Sequence, residues 1–562
     1  MEPFQPQTPV QKSAPSWQPL AFAVVLILGV WIGLLSGEDS TRTFAPGASR
    51  SALNGVLDRV EQTYVDPIMR EELEQIALEA VLNELDPHTL FLSSQELADM
   101  AEPMEGNFEG IGVEFIIQDD TLMVVAAISG GPAEKAGVRA GDRILQVDSV
   151  SISGSDLDNR KVMELLKGPR NTKVRVGVPR RDGLEQILLK RDRIPIHSVV
   201  SAFDINADCG YIKVIRFAQN TAEEFEDAMI QLDRAGVHQV IVDLRGNGGG
   251  YLNAVVPMVE SFLKKGQLVV YTEGEHVPRR TYETRRDGQW AEWDLAVLVD
   301  ESSASASEIF AGAIQDHDRG IILGRRTFGK GLVQEEFSIS NLGALRLTVA
   351  RFYTPTGRAI QKPYGAEIDY GDDYFMRYER GELFEEDSIL KLDADSLTFQ
   401  TPLGRLVKGL GGITPDVFVP LDTSGMSSLM SELSWSGVLR DAAFSFVDEH
   451  RDEWFKKNDS QAHIDLWKES GWAHLMQAAR DNNIEIPSLQ VAERSALEHR
   501  FASQVLRNAF GESAFYEHSV QHDQEFKTAI HWLYHMDAVI VIEGQLSLQL
   551  ESTNINTSSH GF

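Results

Sequence analysis

Along residues 51–84 apolar side chains recur every three or four positions: Leu53, Val56, Leu57 and Val60, then Leu73, Ile76, Ala77, Ala80 and Val81. That spacing lines one face of a helix, so the stretch is expected to be helical. Leu85-Asp-Pro-His-Thr89 ends it, because proline cannot continue a helix. Between 104 and 195 the period shortens to two. Val113–Ile117, Leu122–Ala126 and Val174–Val178 read as strands punctuated by Gly and Pro, with short helices over 133–138 and 157–166. Residues 198–362 then alternate. Gly210–Ile215, Val237–Leu244, Leu295–Val299 and Gly320–Gly324 read as strands, and Thr221–Ala235, Asn253–Lys264 and Ser305–Asp316 as helices. Such alternation is the pattern of an α/β (α+β) fold. Residues 365–395 are acidic and Tyr-rich and read as an irregular insertion, whereas 425–562 read as mostly helical. No repeat of solenoid period is visible.

Residues 1–18 are rich in Pro, Gln and Ser and read as a disordered tail. Leu20 to Leu35 are sixteen apolar residues without a charge, flanked by Trp17 and containing Trp31. That length is at the short edge of a membrane span and also suits a signal segment, here 19–36. No small-x-small cleavage site or lipobox cysteine follows. We therefore expect an uncleaved membrane anchor with the bulk of the chain outside the cytoplasm, a cleaved signal being the other reading.

The chain of 562 residues carries a net charge of −32 and contains no Lys/Arg block, which argues against nucleic acid as a partner. At ~150 residues per domain, three or four domains are expected. The single cysteine, Cys209, excludes internal disulfides and Cys-rich metal sites, and no metal-ligand spacing is seen.

Three segments are candidates for chemistry. In Val240-Ile-Val-Asp-Leu-Arg-Gly-Asn-Gly-Gly-Gly250 a buried strand runs into glycines. The dinucleotide fingerprint fails, since Tyr251 stands where its third glycine would be. The glycines suit either a backbone donor for an anion or a tight strand-to-helix turn. In Val297-Leu-Val-Asp-Glu-Ser-Ser-Ala-Ser-Ala-Ser-Glu-Ile309 a strand leads to a helix start. A serine there meets the positive end of the helix dipole, although Ser305 with Glu308 is equally a capping box that needs no chemistry. In Gly324-Arg-Arg-Thr-Phe-Gly-Lys-Gly-Leu-Val-Gln334 the phosphate-loop pattern lacks its hydroxyl, Gly331 occupying that place. A lysine between two glycines in apolar surroundings can instead be a neutral base, or simply a surface lysine in a turn. Serine at a helix tip together with a neutral lysine makes a nucleophile pair that needs neither His nor Asp. His88, alone in a turn, is read as structural.

At these residues the sequence resembles the carboxyl-terminal processing (tail-specific) serine proteases. The resemblance rests on Ser303-Ala-Ser-Ala-Ser-Glu-Ile309, Thr327-Phe-Gly-Lys-Gly-Leu-Val-Gln334, Asp243-Leu-Arg-Gly-Asn-Gly-Gly-Gly250 and Leu347-Thr-Val-Ala-Arg-Phe-Tyr-Thr-Pro-Thr-Gly-Arg-Ala-Ile-Gln361. Leu85-Asp-Pro-His-Thr89 and Gly412-Ile-Thr-Pro-Asp416 extend it over about residues 50–421. It implies a crotonase-like protease core at 198–424, preceded by a PDZ domain at 104–195 and flanked by helical regions at 50–102 and 425–562. It also implies Ser305 as nucleophile, Lys330 as general base and Gln334 as the group orienting the amine. The oxyanion hole would use backbone N–H groups of Ala306 and of Gly248 or Gly249.

In the PDZ region, Gly110-Ile-Gly-Val113 precedes a strand and can turn N–H groups toward a terminal carboxylate. Ser149 and Asn171 stand where the family usually has glycine. The expected partners are proteins or peptides with free C-termini and the membrane through the N-terminal segment. No cofactor is expected, and self-association is left open. Two rivals are a non-catalytic PDZ scaffold that binds C-termini and a crotonase-like acyl-CoA enzyme.

Overall fold

The computed structural model describes residues 52–549 except 119, 129, 153, 155–156, 181–182, 340–342, 366–369, 393–396, 410, 424 and 451–459. The expected anchor at 19–36 and the tail before it lie outside the described residues. Among the described residues no helix is long and apolar enough to cross a membrane. Contacts divide the chain into two units, 1–77 and 78–562.

In the first unit lie α1 (Ala52–Thr63) and the opening turns of α2 (Arg70–Asn83), where Arg70 pairs with Asp58 at 2.5 Å and with Glu74 at 2.7 Å. The second unit contains everything else. Its β1 (Leu90–Ser93) leads into α3 (Ser94–Glu105), which opens with a Ser93–Glu96 capping box and closes at Gly106 with φ +72°.

A small β module follows. It comprises β2 (Asn107–Gly110), β3 (Val113–Gln118), β4 (Thr121–Ala127), α4 (Pro132–Lys135), β5 (Arg143–Ile144), β6 (Gln146–Val147), β7 (Val150–Ser151), α5 (Asn159–Leu166), β8 (Lys173–Arg180), β9 (Gly183–Lys190) and β10 (Asp192–Pro195). Strand β10 pairs antiparallel with β2 and brings the two ends of the module together. Its sheets have the orders β3-β4-β5 and β7-β6-β8-β9, so β3 is an edge strand. Leu122, Val124, Ile144, Val162, Val174 and Val176 form its core.

The main body runs through β11 (Val199–Asp204), β12 (Cys209–Val214), α6 (Thr221–Arg234), β13 (Gln239–Asp243), α7 (Leu252–Glu260), β14 (Leu268–Glu273), β15 (Arg280–Glu283), β16 (Asp294–Val299), α8 (Ala306–Asp316), β17 (Ile321–Gly324), β18 (Leu332–Ile339) and β19 (Gly343–Tyr353). It continues with α9 (Asp373–Glu379), α10 (Glu386–Leu392), β20 (Thr398–Gln400), β21 (Leu406–Lys408) and β22 (Val417–Phe418). The central sheet has the order β11-β12-β13-β16-β17-β22; all neighbours are parallel except β11 with β12. Alternate residues of β13 face opposite ways. Val240 and Val242 pack under α6, α7 and α8 with Phe225, Val255 and Phe310, while Ile241 joins Tyr211 and Leu298 on the other face. Burial on both faces explains why these strands read as unbroken apolar runs. A second sheet, antiparallel, has the order β1-β19-β14-β15 with β18 also on β19, so a segment from before the β module belongs to the main body.

One expectation is corrected and one is extended. The stretch 365–395 is not wholly irregular: it holds α9 and α10, because Leu383 and Ile389 are buried and Arg377 is drawn into the main body. The region expected to be mostly helical, 425–562, is so among its described residues, through α11 (Ser428–Trp435), α12 (Val438–Glu449), α13 (Ser460–Asp481), α14 (Val491–Phe510), α15 (Glu512–Ser519) and α16 (Gln524–Leu533). It then forms a hairpin of β23 (Val539–Ile542) and β24 (Gln545–Leu548) around Glu543-Gly544, both at positive φ. Helices α11 to α14 share a core of their own, including Leu433, Phe446, Leu475 and Phe501. Val520, Phe526 and Leu533, from α16 and the turn before it, instead cover the second face of the central sheet.

Candidate active site

Strands β13, β16 and β17 end side by side, and the chain leaves them in the three segments singled out above. After β16 the chain turns sharply into α8. Ser305 sits at that corner with φ +55°, a conformation an L-residue adopts only when its surroundings impose it. A strained strand-to-helix turn presents a serine hydroxyl outward at the tip of a helix. Its neighbours are occupied elsewhere: the Ser303 hydroxyl donates to the Leu244 carbonyl oxygen at 2.9 Å and the Ser307 hydroxyl to that of Asn247 at 2.8 Å. The outer two serines thus tie the start of α8 to the glycine segment, and the middle one stands between them.

Asn247 holds the glycine segment in place. Fully buried, it donates to the Val214 carbonyl oxygen at 3.0 Å, accepts from the Gly249 amide at 2.9 Å, and takes the Ala304 amide on its own carbonyl oxygen at 3.0 Å. Gly249 lies against the serine corner. A Cβ there would stand 2.6 Å from the Ala304 oxygen, 2.7 Å from Ser305 Cβ and 3.0 Å from the Ala306 nitrogen, and its φ is +99°. Because the Gly249 amide is taken by Asn247, Gly248 is the better placed of the two candidate glycines to offer a free N–H.

Glu308 joins the serine corner to the lysine segment. This carboxylate is fully buried. Its Oε2 accepts from the Ser305 amide at 2.8 Å and from the Lys330 amide at 2.8 Å; its Oε1 accepts from Thr327 Oγ1 at 2.5 Å and from the Gly329 amide at 2.8 Å. The Ser305 and Lys330 amide nitrogens are therefore no further apart than twice the first of these distances. Burial pushes the Glu308 carboxyl up to about 7 despite the four donors. The glutamate expected to cap α8 does receive the Ser305 N–H, but it also organises the loop that carries the lysine.

The Lys330 amine is depressed below its ordinary range. Burial is the main cause and the charge of Arg346 adds to it, while Glu308 and Asp86 oppose. Beside it, His88 is pushed down to about 4 by burial first and by the Lys330 charge second. Asp86 organises this side. Its carboxylate accepts from the amides of His88 (2.8 Å) and Thr89 (3.0 Å) and from the hydroxyls of Thr89 (2.6 Å) and Thr348 (3.1 Å), tying Leu85–Thr89 to β19. Gln334, expected to orient the amine, donates to Thr348 Oγ1 at 3.2 Å; among the described residues it makes no hydrogen bond to Lys330.

Sequence reasoning missed the support beneath this loop. Lys362 lies over the rings of Phe328 (3.7 Å) and Tyr370 (4.0 Å), and Tyr370 hydrogen-bonds His88 at 3.0 Å. Arg377 of α9 donates to the carbonyl oxygens of Arg326, Thr327 and Phe328 at 2.8, 3.0 and 3.0 Å. Apart from Lys362 with Tyr370, these contacts join residues more than thirty positions apart, so no local pattern announces them.

The expected peptide-binding residues lie together at the head of edge strand β3. Gly110 and Ile111 are buried, Gly112 has φ +76°, and Val113 begins the strand. Two cavities open elsewhere, one of about 620 Å³ between β12, β13 and α16 and one of about 850 Å³ between β3, β4 and the end of α14; Ser305 and Lys330 line neither. Among the described residues no cluster of acidic, His or Cys side chains could hold a metal ion. Cys209 is buried and its thiol is pushed up to about 12, chiefly by burial, so it is unreactive.

Comparison with known proteins agrees with the geometry. Residues 208–371 match peptidase family S41 and residues 123–180 match the PDZ domain. A carboxy-terminal-processing protease of Bartonella bacilliformis is 33% identical over 313 residues, which cover 54% of this chain and 71% of the relative. The chain belongs to the carboxy-terminal-processing proteases of family S41. A probable CtpA-like serine protease of Staphylococcus aureus is 32% identical over 316 residues, 56% of this chain and 63% of that protein. A solved photosystem II D1 C-terminal processing protease is 30% identical and superposes with a TM-score of 0.33, covering 56% of this chain and 91% of that one. Membership makes this an α/β protease fold with a PDZ domain. Residues beyond 371 lie outside the matched S41 stretch.

Proposed function

We propose that the protein is a serine endopeptidase that cleaves other proteins near their C-termini, with Ser305 as nucleophile and Lys330 as general base. The observation that carries this reading is Glu308, one buried carboxylate that receives the backbone N–H of both residues. Depression of the Lys330 amine by burial supports it, since only the neutral amine can take a proton.

In the proposed reaction Lys330 Nζ removes the proton from Ser305 Oγ as the oxygen attacks the scissile carbonyl carbon. The resulting oxyanion is met by the amides of Ala306 and Gly248, with Gly249 packed behind the serine. The Lys330 ammonium then gives its proton to the leaving amine, and the acyl-enzyme is released by water through the same base. The PDZ domain would receive the substrate's free C-terminus on the Gly110–Val113 turn, with the peptide adding as a strand to the open edge of β3. The apolar run 20–35 would hold the enzyme at a membrane, with its catalytic part outside the cytoplasm.

Ser305→Ala is expected to abolish cleavage of a reporter protein while its melting temperature stays that of the wild type. Cleavage by the variant at the wild-type rate would overturn Ser305 as the nucleophile; a wild-type protein that binds C-termini without cleaving them would leave the peptide-binding scaffold as the better reading.

A further inference from the structure

Both loops that carry the proposed machinery are rooted in arginines, and both arginines reach the same acid. Arg245 opens the glycine segment and Arg325 opens the lysine segment. The Arg245 guanidinium is held by Asp243 beneath it, by Asp523 Oδ2 at 2.6 Å and by Glu525 Oε2. Arg325 is held by Glu301 at 2.7 Å and by Glu525 Oε1. Glu525 is buried in the first turn of α16, and each of its oxygens serves one arginine. Asp523 is the N-cap of that helix, accepting from the amides of Glu525 and Phe526 at 2.8 and 3.1 Å.

The carbonyl oxygen of Arg245 receives Lys213 Nζ at 2.6 Å, and the Gly246 amide donates to Asp300 at 2.9 Å. Asp300 in turn donates its own amide to the hydroxyl oxygen of Ser303 at 3.0 Å, two residues before Ser305. The chain of contacts from Glu525 to the serine corner is therefore continuous, running through the Arg245 guanidinium, the Gly246 amide, Asp300 and the Ser303 hydroxyl. Helix α16 lies far outside the stretch that matches the protease family.

We infer that Glu525, assisted by Asp523, is a positioning residue that sets the glycine segment and the lysine segment against one another, so that the C-terminal region controls the turnover of the site. The inference rests on the Ser305–Lys330 reading. A guanidinium fork held on two sides by carboxylates has little freedom, and its loss would let the two loops relax independently. Substrate capture at β3 involves none of these groups, so the effect belongs on kcat rather than KM.

The test compares full-length wild type with Glu525→Gln and Asp523→Ser on a reporter peptide, together with acylation by a p-nitrophenyl ester and thermal unfolding. Serine preserves the helix cap while removing the Arg245 partner, so that variant keeps the test decisive if Glu525→Gln does not fold. Expected are a tenfold or larger fall in kcat and in acylation rate for Glu525→Gln and a smaller fall for Asp523→Ser. KM should be unchanged at temperatures where both proteins are folded, and Glu525→Asp should recover part of the loss. Wild-type kcat in the folded variants, or a loss confined to KM, overturns the inference. Ser305→Ala, run alongside, separates the failures: if it is inactive and Glu525→Gln is not impaired, only the clamp is wrong; if it is active, the dyad falls and the clamp's role with it.

Discussion

At the scale of single residues, the site depends on what a backbone is allowed to do. Ser305 holds a positive φ, and Gly249 can approach it only because it lacks a Cβ. Gly249→Ala should therefore be worse than a loss of packing. It adds strain of ~1–3 kcal/mol and forces the Ala304 carbonyl and Ser305 apart. A lowered melting temperature together with loss of peptide cleavage is the expected result, measured by calorimetry and assay on the same preparation; retained cleavage would mean the glycine segment lies away from the reacting atoms. The turns that carry Ser305, Lys330 and the glycines were legible in the sequence because each lies in a short motif that follows a strand. Glu308 was legible only as half of a capping box, since its bonds to Thr327, Gly329 and Lys330 join residues about twenty positions apart. Arg377 and the Val214 and Ala304 bonds of Asn247 gave no local sign, because those partners are backbone groups brought near by the fold; Asp86 showed only as part of Leu85–Thr89, its bond to Thr348 joining residues far apart along the chain. Gln334 lies beside the Asp86–Thr348 pair, a placement that its distance along the chain from Lys330 did not foretell.

At the scale of elements, α9 shows how a segment that reads as loop can be structural. The stretch 365–395 is acidic and aromatic without a clear period, yet Arg377 carries α9 onto three consecutive carbonyl oxygens of the lysine segment. Removing a buried, charged donor strands those carbonyls and the nearby acids, a loss of ~3–5 kcal/mol. Arg377→Ala should lower the unfolding free energy by that order in denaturant titration and should raise protease sensitivity around 325–331 in limited digestion. An unchanged titration midpoint would show that α9 is not a support for the loop. Strands β12, β13, β16 and β17 were legible as apolar runs because both their faces are covered. Strands β14 and β19 were not, since half-buried strands of the antiparallel sheet mix polar and apolar residues.

At the scale of the whole molecule, several buried groups make stability depend on pH. His88 and His518 are both pushed down to about 4, chiefly by burial. Between pH 4 and the ordinary histidine value of 6.5 the unfolded chain binds protons at these sites that the folded protein does not. Stability must therefore fall as pH drops through that window. Asp243, held down by Arg245 and Lys213 against its own burial, adds a further loss once pH falls below the unfolded carboxylate range. Glu308 acts in the opposite sense: raised to about 7, it binds a proton in the folded state first, so it favours the fold as pH falls from 7 toward 4.5. The sum predicts a lower melting temperature at pH 4 than at pH 7. In His88→Gln and His518→Gln the decline between those values should be shallower; an identical slope would mean that neither histidine is neutral in the fold. The helical C-terminal region was visible in the sequence as helices, but its role as the cover of the central sheet was not, because Phe526 and Leu533 meet Tyr211 and Leu298 only in three dimensions.

The central claim is that a desolvated lysine serves a strained serine as its base, and the pH dependence of peptide cleavage tests it most directly. For the wild type, kcat/KM should rise along a single limb whose midpoint lies below 10.5, the ordinary value of a lysine amine, and activity should vanish in acid as Lys330 gains its proton. Lys330→Ala should lose ~10²–10⁴-fold in kcat and lose that limb with it, with the fold intact by circular dichroism. A Lys330→Ala enzyme that keeps both the rate and the limb would contradict the account.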